Sequence, residues 1–537
     1  ALHRAAYLLY TNRERLAKAG VLVVGPSNSF MWYIERVLPS LGETGVVMAS
    51  LATLYPGLQA VAEKSRKVAA LKGELRMVKV IERAVADRQK VPQEAQQLNV
   101  EGTDVELTPE MVRSARARAR ATGKPHNEAR ETFVKILLRE LTTALDEQLN
   151  KAAGRVVERP YLQDDVRGSL DVRRALNLAW MPLSPETLVR SLFSKQHYLI
   201  SATPDFTEQE RALLAREADA PFTEADVPLL DEAAELLGDF SKVTGAAAAA
   251  RAAAEHQANL ENAAKALENV HQSLADVGAD GVVTAEQIAA MNETVRERMT
   301  AAAAAQSDRT WAYGHIVVDE AQELSPMQWR LLMRRCPMKS LTVVGDIAQA
   351  SSAAAASSWE QALEPFVGER FTLDELTINY RTPAQISDAA VAVARSAGYE
   401  VSAPRAVRQG DWGPQVHHVP AERVVAETVS VVNREVEHSG GALIGVICPP
   451  DEYIAVAQAV GRAQTGRTGT AQDALENQVL VLTPWEAKGL EFDVVVIVEP
   501  QRLIDDALGA VGDLYVSMTR PTQRLHLVGD RMPEGLE

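Results

Sequence analysis

The sequence is poor in cysteine, in net positive charge and in long apolar runs. Its two cysteines, Cys336 and Cys448, build neither a disulfide framework nor a zinc set. That usage fits a reducing, cytoplasmic compartment. Nowhere do about 18 apolar residues run on uninterrupted, so no membrane-spanning helix is expected. The balance is acidic, 72 Asp and Glu against 56 Lys and Arg, for a net charge of -16. A protein that only wraps nucleic acid is usually basic, because neutralising phosphates takes Lys and Arg. The deficit favours a protein partner or a nucleotide substrate and leaves nucleic-acid contact weak. Neither a signal peptide nor an initiating Met opens the chain. Leu2, Ala5, Ala6 and Leu9 give an amphipathic helical pattern from the start, which reads as the interior of a longer polypeptide.

Apolar residues make up 46% of the 537, enough for several cores and for three or four domains on size alone. Residues 1–55 read as helix, strand, turn, helix, the strand being Val21-Leu22-Val23-Val24-Gly25, a short run of the kind buried in a parallel sheet. From 56 to 305 the texture turns helical, charged and alanine-rich, with few strand signals. The runs 246–250 and 301–305 are pure alanine, the best helix former. Strand-like runs return at Ile316-Val317-Val318 and Leu341-Thr342-Val343-Val344, and from 371 onward strands alternate with helices. That alternation argues for parallel, doubly wound sheets. The fold class is therefore α/β, with one block at 1–55 plus 306–370, a second at 371–537, and a large, mainly helical insertion at 56–305 in the first.

The strongest chemical signal is Val317-Val318-Asp319-Glu320-Ala321-Gln322. An apolar strand ends there in two adjacent carboxylates, of which the first suits Mg²⁺ and the second suits a water-activating base. A strand running into an acidic turn gives the same letters. The downstream blocks narrow the choice. Gly345-Asp346-x-x-Gln349 succeeds the next strand, with a Gln able to sense a γ-phosphate by hydrogen bonding. Asn379-Tyr380-Arg381-Thr382-Pro383 sets an aromatic beside a cation. Thr483-Pro484-Trp485-Glu486-Ala487-Lys488-Gly489-Leu490-Glu491-Phe492-Asp493 and Tyr515-Val516-Ser517-Met518-Thr519-Arg520 each precede an apolar strand.

In this order the blocks resemble motifs II to VI of the superfamily 1A helicases, the UvrD/Rep/PcrA group. Val21 to Phe30 is similar to motif Ia, and residues 1–10 are similar to the helix directly after the P-loop. The resemblance implies two RecA-like P-loop NTPase domains, with ATP (or GTP) and Mg²⁺ between them. It implies that Asp319 binds Mg²⁺ and Glu320 activates water. Gln349 would couple to the γ-phosphate, Tyr380 stack on adenine, Arg381 and Arg520 act as arginine fingers, Glu491 hold the ribose, and Lys488 and Gly489 line the nucleotide. The P-loop Lys and Ser/Thr are not in this sequence, so the stretch alone is expected to hydrolyse nucleotide only at background rate. Motif III lacks its usual aromatics, Gln349 being followed by Ala350, Ser351, Ser352 and alanines, and Trp485 stands where a His is usual. The stretch between Arg381 and Thr483 is too short for the second-domain insertion of the DNA helicases, so the grip on single strands is expected to be thin.

The words ALHRAAYLLY, VLPSLGE, HNEAR at 126–130 and PLLDEAAELLG at 228–238 resemble HelD, the helicase-like factor associated with bacterial RNA polymerase, in its actinobacterial form. That resemblance implies a monomer bound to core RNA polymerase that releases it from nucleic acid; a UvrD-like repair helicase is the alternative. Within the insertion, residues 111–139 hold Arg113, Arg116, Arg118, Arg120, Lys124, Arg130, Lys135 and Arg139 against Glu128 and Glu131. Residues 203–240 hold eleven Asp or Glu against Arg211 and Arg216. Both fit solvated helix faces. The acidic segment also fits a basic polymerase channel, with Glu208, Glu210, Asp219, Glu224 and Asp226 free to engage it and Leu229, Leu230, Leu236 and Leu237 packing on protein.

Overall fold

A computed structural model describes residues 21–25, 46–153, 160–240, 308–350, 358–398, 405–410, 412–438, 440–470, 477–505 and 510–536. It also describes positions 7, 11, 16, 19, 20, 31, 352, 354, 356 and 401; the side chains of 348 and 510 are excepted. The alanine runs and nearly all of the opening helical pattern lie outside the described residues. The chain forms two compact units: 1–74 with 222–227 and 301–537, and 75–221 with 228–300.

In the first unit, β1 (Val21–Gly25) pairs in parallel with β2 (Val46–Ser50). The hairpin strands β3 (Gln96–Val100) and β4 (Thr103–Leu107) belong to the second unit. β5 (His315–Val318) lies on the other side of β1, and β6 (Leu341–Val343) comes next to it, for the order β2-β1-β5-β6. β1 and β5 are buried at every residue, as the apolar runs Val21–Val24 and Ile316–Val318 require in a sheet covered on both faces. The sequence pattern suggests helix at β2; Val46-Val47-Met48-Ala49-Ser50 instead forms an edge strand with its burial partly alternating.

The remaining strands are β7 (Ile378–Asn379), β8 (Arg405–Ala406), β9 (Gln415–His418), β10 (Ile444–Ile447), β11 (Thr468–Gly469), β12 (Val479–Leu482), β13 (Phe492–Val498) and β14 (Pro521–Gly529). β7 and β8 form a short parallel ladder. The other six make a parallel sheet in the order β11-β12-β10-β13-β14-β9. Successive side chains on a strand face opposite ways, and the two cores divide accordingly. Val494, Val496 and Val498 join Val431 and Val456 from the helices Val424–His438 and Tyr453–Ala463. Val495 and Ile497 join Ala390 and Leu514 from Ala384–Ser396 and Ala510–Met518.

The second unit begins at Leu75, not near 56: residues 56–74 cluster with the sheets. It holds a hairpin that the sequence pattern did not reveal. β3 and β4 are antiparallel, joined by Glu101 and Gly102, both with positive φ, which suits a two-residue turn between right-twisted strands. Thr108 caps the helix Pro109–Arg120 and accepts the Met111 N–H. His126–Ala153 is the longest described helix and packs Phe133 on the fully buried Trp180. No described helix is long and apolar enough to cross a membrane.

The charge-rich segments are used internally more than their sequence implied. Arg116 donates to the Gln89 carbonyl and Arg120 to the Gln89 side chain, while Arg130 donates to the Trp180 carbonyl. Of the five acids expected to be free, Glu210 closes a capping box with Thr207 and pairs with Arg76. Asp226 is fully buried, 2.9 Å from Lys72. Burial pushes the Glu224 carboxyl upward. Only Glu208 and Asp219 of that set are exposed; Glu217 and Glu235 are exposed as well. Leu229, Leu230 and Leu237 are buried as expected.

Candidate active site

The carboxyl end of the first sheet sets the first half of the site. β5 stays in register one residue past its end, the Asp319 N–H donating to the Val24 carbonyl at 2.8 Å. The chain then turns sharply. Glu320 adopts the left-handed conformation (φ 51°, ψ 41°), uncommon for a residue with a Cβ, and its N–H donates to Asp319 Oδ1 at 3.2 Å. Such strain gathers at functional sites when the surroundings enforce it. Here Ala321 N–H is tied to the Val344 carbonyl. Gln322 donates to Glu320 Oε2 at 2.7 Å and accepts the Asp346 N–H at 3.1 Å. Gly345 leaves room for this, since a Cβ there would lie 2.4 Å from Gln322 Oε1. Gln322 thus orients Glu320, a role that its sequence position did not reveal. Burial, followed by the neighbouring Glu320 charge, pushes the Asp319 carboxyl above the usual range.

The second half combines Gln349, which follows β6, and Arg381, which follows β7, with Glu491 and Arg520, which precede strands of the six-stranded sheet. Gln349, in the 3-10 turn Ile347–Gln349, donates to Asp346 Oδ2 at 3.0 Å and accepts from Arg520 Nη2 at 3.1 Å. Arg520 is 5% exposed, and its Nε donates to the Val516 carbonyl at 3.1 Å. Burial lowers its pKa, while the Glu320 and Glu491 charges favour the cation and Arg381 opposes it. Arg381 stands 2.6 Å from Glu491, both about half-exposed. Asn379 Oδ1 accepts the N–H groups of Arg381 and Thr382, fixing the turn that carries Arg381. Asp319, Glu320, Gln349, Arg381, Glu491 and Arg520 are therefore brought together. Tyr380 lies beside them in the chain with a side chain 73% exposed. Gly489 takes a positive φ of 76° in the loop before β13. Lys488, expected to line the nucleotide, is buried, 2.6 Å from Glu323.

The residues fit Mg²⁺. Two adjacent carboxylates, one disfavoured as an anion by burial, gain from a hard divalent cation. Among the described residues no cluster of three or more His, Cys, Asp or Glu could hold a metal alone. Mg²⁺ is commonly held by one or two carboxylates, with water and phosphate oxygens completing its shell. Arg381 and Arg520 are the cations nearest this carboxylate pair, paired with Glu491 and Gln349.

A family model described as an AAA domain matches residues 224–355, a span that includes Asp319, Glu320 and Gln349. Residues 224–355 are thus similar to an AAA domain, and the mixed α/β architecture with parallel sheets agrees with a P-loop-type, helicase-like nucleotide-binding domain. No curated protein matches the chain. Among solved structures, the C-terminal domain of a possible DNA helicase from Lactobacillus plantarum WCFS1 is 24% identical, covering 29% of this chain and 92% of its own, with a TM-score of 0.23.

Proposed function

We propose that this chain is the hydrolytic core of a helicase-like motor driven by ATP or GTP, with two RecA-like domains whose nucleotide lies between Asp319-Glu320 and Arg381-Arg520. The observation that carries the reading is the hydrogen bond from Arg520, at the entry to β14, to Gln349, just beyond β6. It places a buried cation from one sheet beside the γ-phosphate-sensing candidate of the other. In hydrolysis, water attacks the γ-phosphorus, the bond to the bridging oxygen breaks, and the nucleoside diphosphate leaves with that electron pair. Glu320 accepts the proton of the attacking water, held for it by Gln322 and by the strained turn. Arg520 and Arg381 meet the charge that develops on the phosphoryl oxygens. Asp319 would hold Mg²⁺, which when bound neutralises phosphate charge. Tyr380 would stack on the base and Glu491 hold the ribose.

The partner we propose is core RNA polymerase, released by this motor from nucleic acid. The support is the HelD-like wording at 126–130 and 228–238, the short stretch between Arg381 and Thr483, and the missing aromatics after Gln349. The test is made on the full-length protein. Arg520→Ala should cut turnover by about 10³-fold or more, the usual worth of an arginine finger, with nucleotide affinity nearly kept. Equal losses in both would refute the role. Tight sedimentation with purified core polymerase and poor duplex unwinding are expected; processive unwinding would favour the repair-helicase reading instead.

A further inference from the structure

Two of the most buried charges in the first unit touch none of the reacting groups. Lys488 Nζ lies 2.6 Å from Glu323 Oε1, the side chains being 2% and 5% exposed. The other Glu323 oxygen accepts the Ser352 N–H at 3.0 Å. Asp513 Oδ1, buried and without a hydrogen-bond partner, lies 4.0 Å from the same ammonium. Its second oxygen pairs with Arg66. The Trp485 ring covers the ammonium with its centroid at 4.7 Å. Two carboxylates thus face two cations, drawn from four separate segments. Backbones also close up here: at Gly512 a Cβ would sit 2.5 Å from the Ala350 carbonyl oxygen.

Each arm of this network sits a short step along the chain from one member of the candidate active site. Glu323 comes after Glu320, Ser352 after Gln349, Lys488 before Glu491, and Asp513 lies on the helix that delivers Arg520. A buried ion pair rarely adds net stability, because desolvation offsets the attraction; well-packed apolar residues do as well. What it adds is direction, since an ammonium and a carboxylate meet in few geometries. We propose that Lys488 and Glu323 are positioning residues: their pairing fixes Glu491 and Arg520 against Glu320 and Gln349, and hydrolysis depends on it. The inference rests on the proposed motor reading.

The test uses the full-length protein with Glu323→Gln, Lys488→Met and the apolar pair Lys488→Met/Glu323→Leu. Each is measured for melting temperature, for kcat and KM, and for hydrogen exchange over 349–352 and 510–520. Lys488→Met should lower melting, because Glu323 is left charged and buried. The apolar pair should recover most of the melting temperature yet stay down in kcat by about 10²-fold, the cost of roughly 1 Å of misplacement, at nearly unchanged KM. Exchange over both stretches should stay raised. Glu323→Gln keeps the shape and the Ser352 bond, so it folds; its kcat should fall at constant KM. Recovery of kcat along with melting in the apolar pair would overturn the proposal and leave the pair as packing alone. Full kcat in Glu323→Gln would overturn it too, even if the apolar pair failed to fold. Arg520→Ala is run alongside. If it leaves turnover intact, the active-site reading falls; if it abolishes turnover while the apolar pair is fully active, only the positioning role falls.

Discussion

Acid should loosen the second unit through one residue, His126. Its ring is 3% exposed and hydrogen-bonded at both nitrogens, Nε2 to the Met181 carbonyl at 2.8 Å and Nδ1 to the Gln89 amide nitrogen at 3.1 Å. The Gln89 amide cannot usefully flip, because its oxygen receives Arg120 Nε at 2.5 Å. Only the neutral ring carrying its proton on Nε2 satisfies both partners, since a proton on Nδ1 would confront an N–H₂ group. Burial pushes the His126 pKa down from 6.5 to about 4, and Arg130, Arg120 and Arg88 add to the effect. With each unit worth about 1.4 kcal/mol, the gap corresponds to about 3 kcal/mol. The folded pKa is the lower one, so between about pH 4 and 6.5 the unfolded chain binds the extra proton. This stability is fully present above 6.5 and drains away as pH falls through about 4. Urea unfolding of wild type and His126→Gln, followed by exchange protection of the helix 126–153, measures it. His126→Gln should be the less stable at pH 7.5 through lost packing on Trp180, and the difference should shrink by about 3 kcal/mol by pH 4. Two parallel pH profiles, or an NMR titration of the folded ring near 6.5, would refute the reasoning.

Asp319→Asn should raise the melting temperature at pH 7, because it removes a carboxylate whose charged form the fold disfavours; the gain should shrink as pH falls through the aspartate range, and turnover should be lost. Asp226→Asn should cost about 3 kcal/mol in denaturant titration, near the low end for stranding a buried charge. Glu63, still 3.2 Å from Lys72, softens the loss. Neutralising the exposed Glu208, Glu217 and Asp219 together should weaken polymerase binding and flatten its salt dependence without moving the melting temperature. Unaltered release of polymerase from DNA by that variant would mark these acids as plain solvated surface.

The parallel strands could be read because Val21–Val24, Ile316–Val318, Val479–Leu482 and Val494–Val498 are continuous apolar runs, a pattern that burial on both faces forces. β2 could not, since an edge strand has one neighbour and mixed burial, and its letters suit a helix equally. The β3–β4 hairpin was hidden by a Glu101-Gly102 turn that lacks the usual Asn or Asp before glycine. At the site, strand-ending carboxylates and the order of the blocks located Asp319, Glu320, Gln349, Arg381 and Arg520. Gln322 and Glu323 lay in the same words, but which of them turns toward Glu320 and which toward Lys488 depends on the left-handed bend at Glu320. The charge of Lys488 was plain; that it is buried against a residue far away in the chain was not. The acidic segment misled because composition does not distinguish a capping or buried carboxylate, such as Glu210 or Asp226, from a free one.

Gly512 sets a limit on how this protein can vary. Where the helix Ala510–Met518 crosses the Ala350 carbonyl, the clearance admits a hydrogen atom and no methyl group. The obstacle is backbone, so no side chain can swing aside to absorb a larger residue. Alanine there would act as a shim, lifting the helix that carries Asp513 and leads into Arg520 while leaving every reacting group intact. The helix is buried from Gly512 to Met518, and this position is held to a single letter by the width of a gap. A loss of activity through such a change would be recovered by shifts in the opposing backbone near Ala350, not by any exchange among the charged residues.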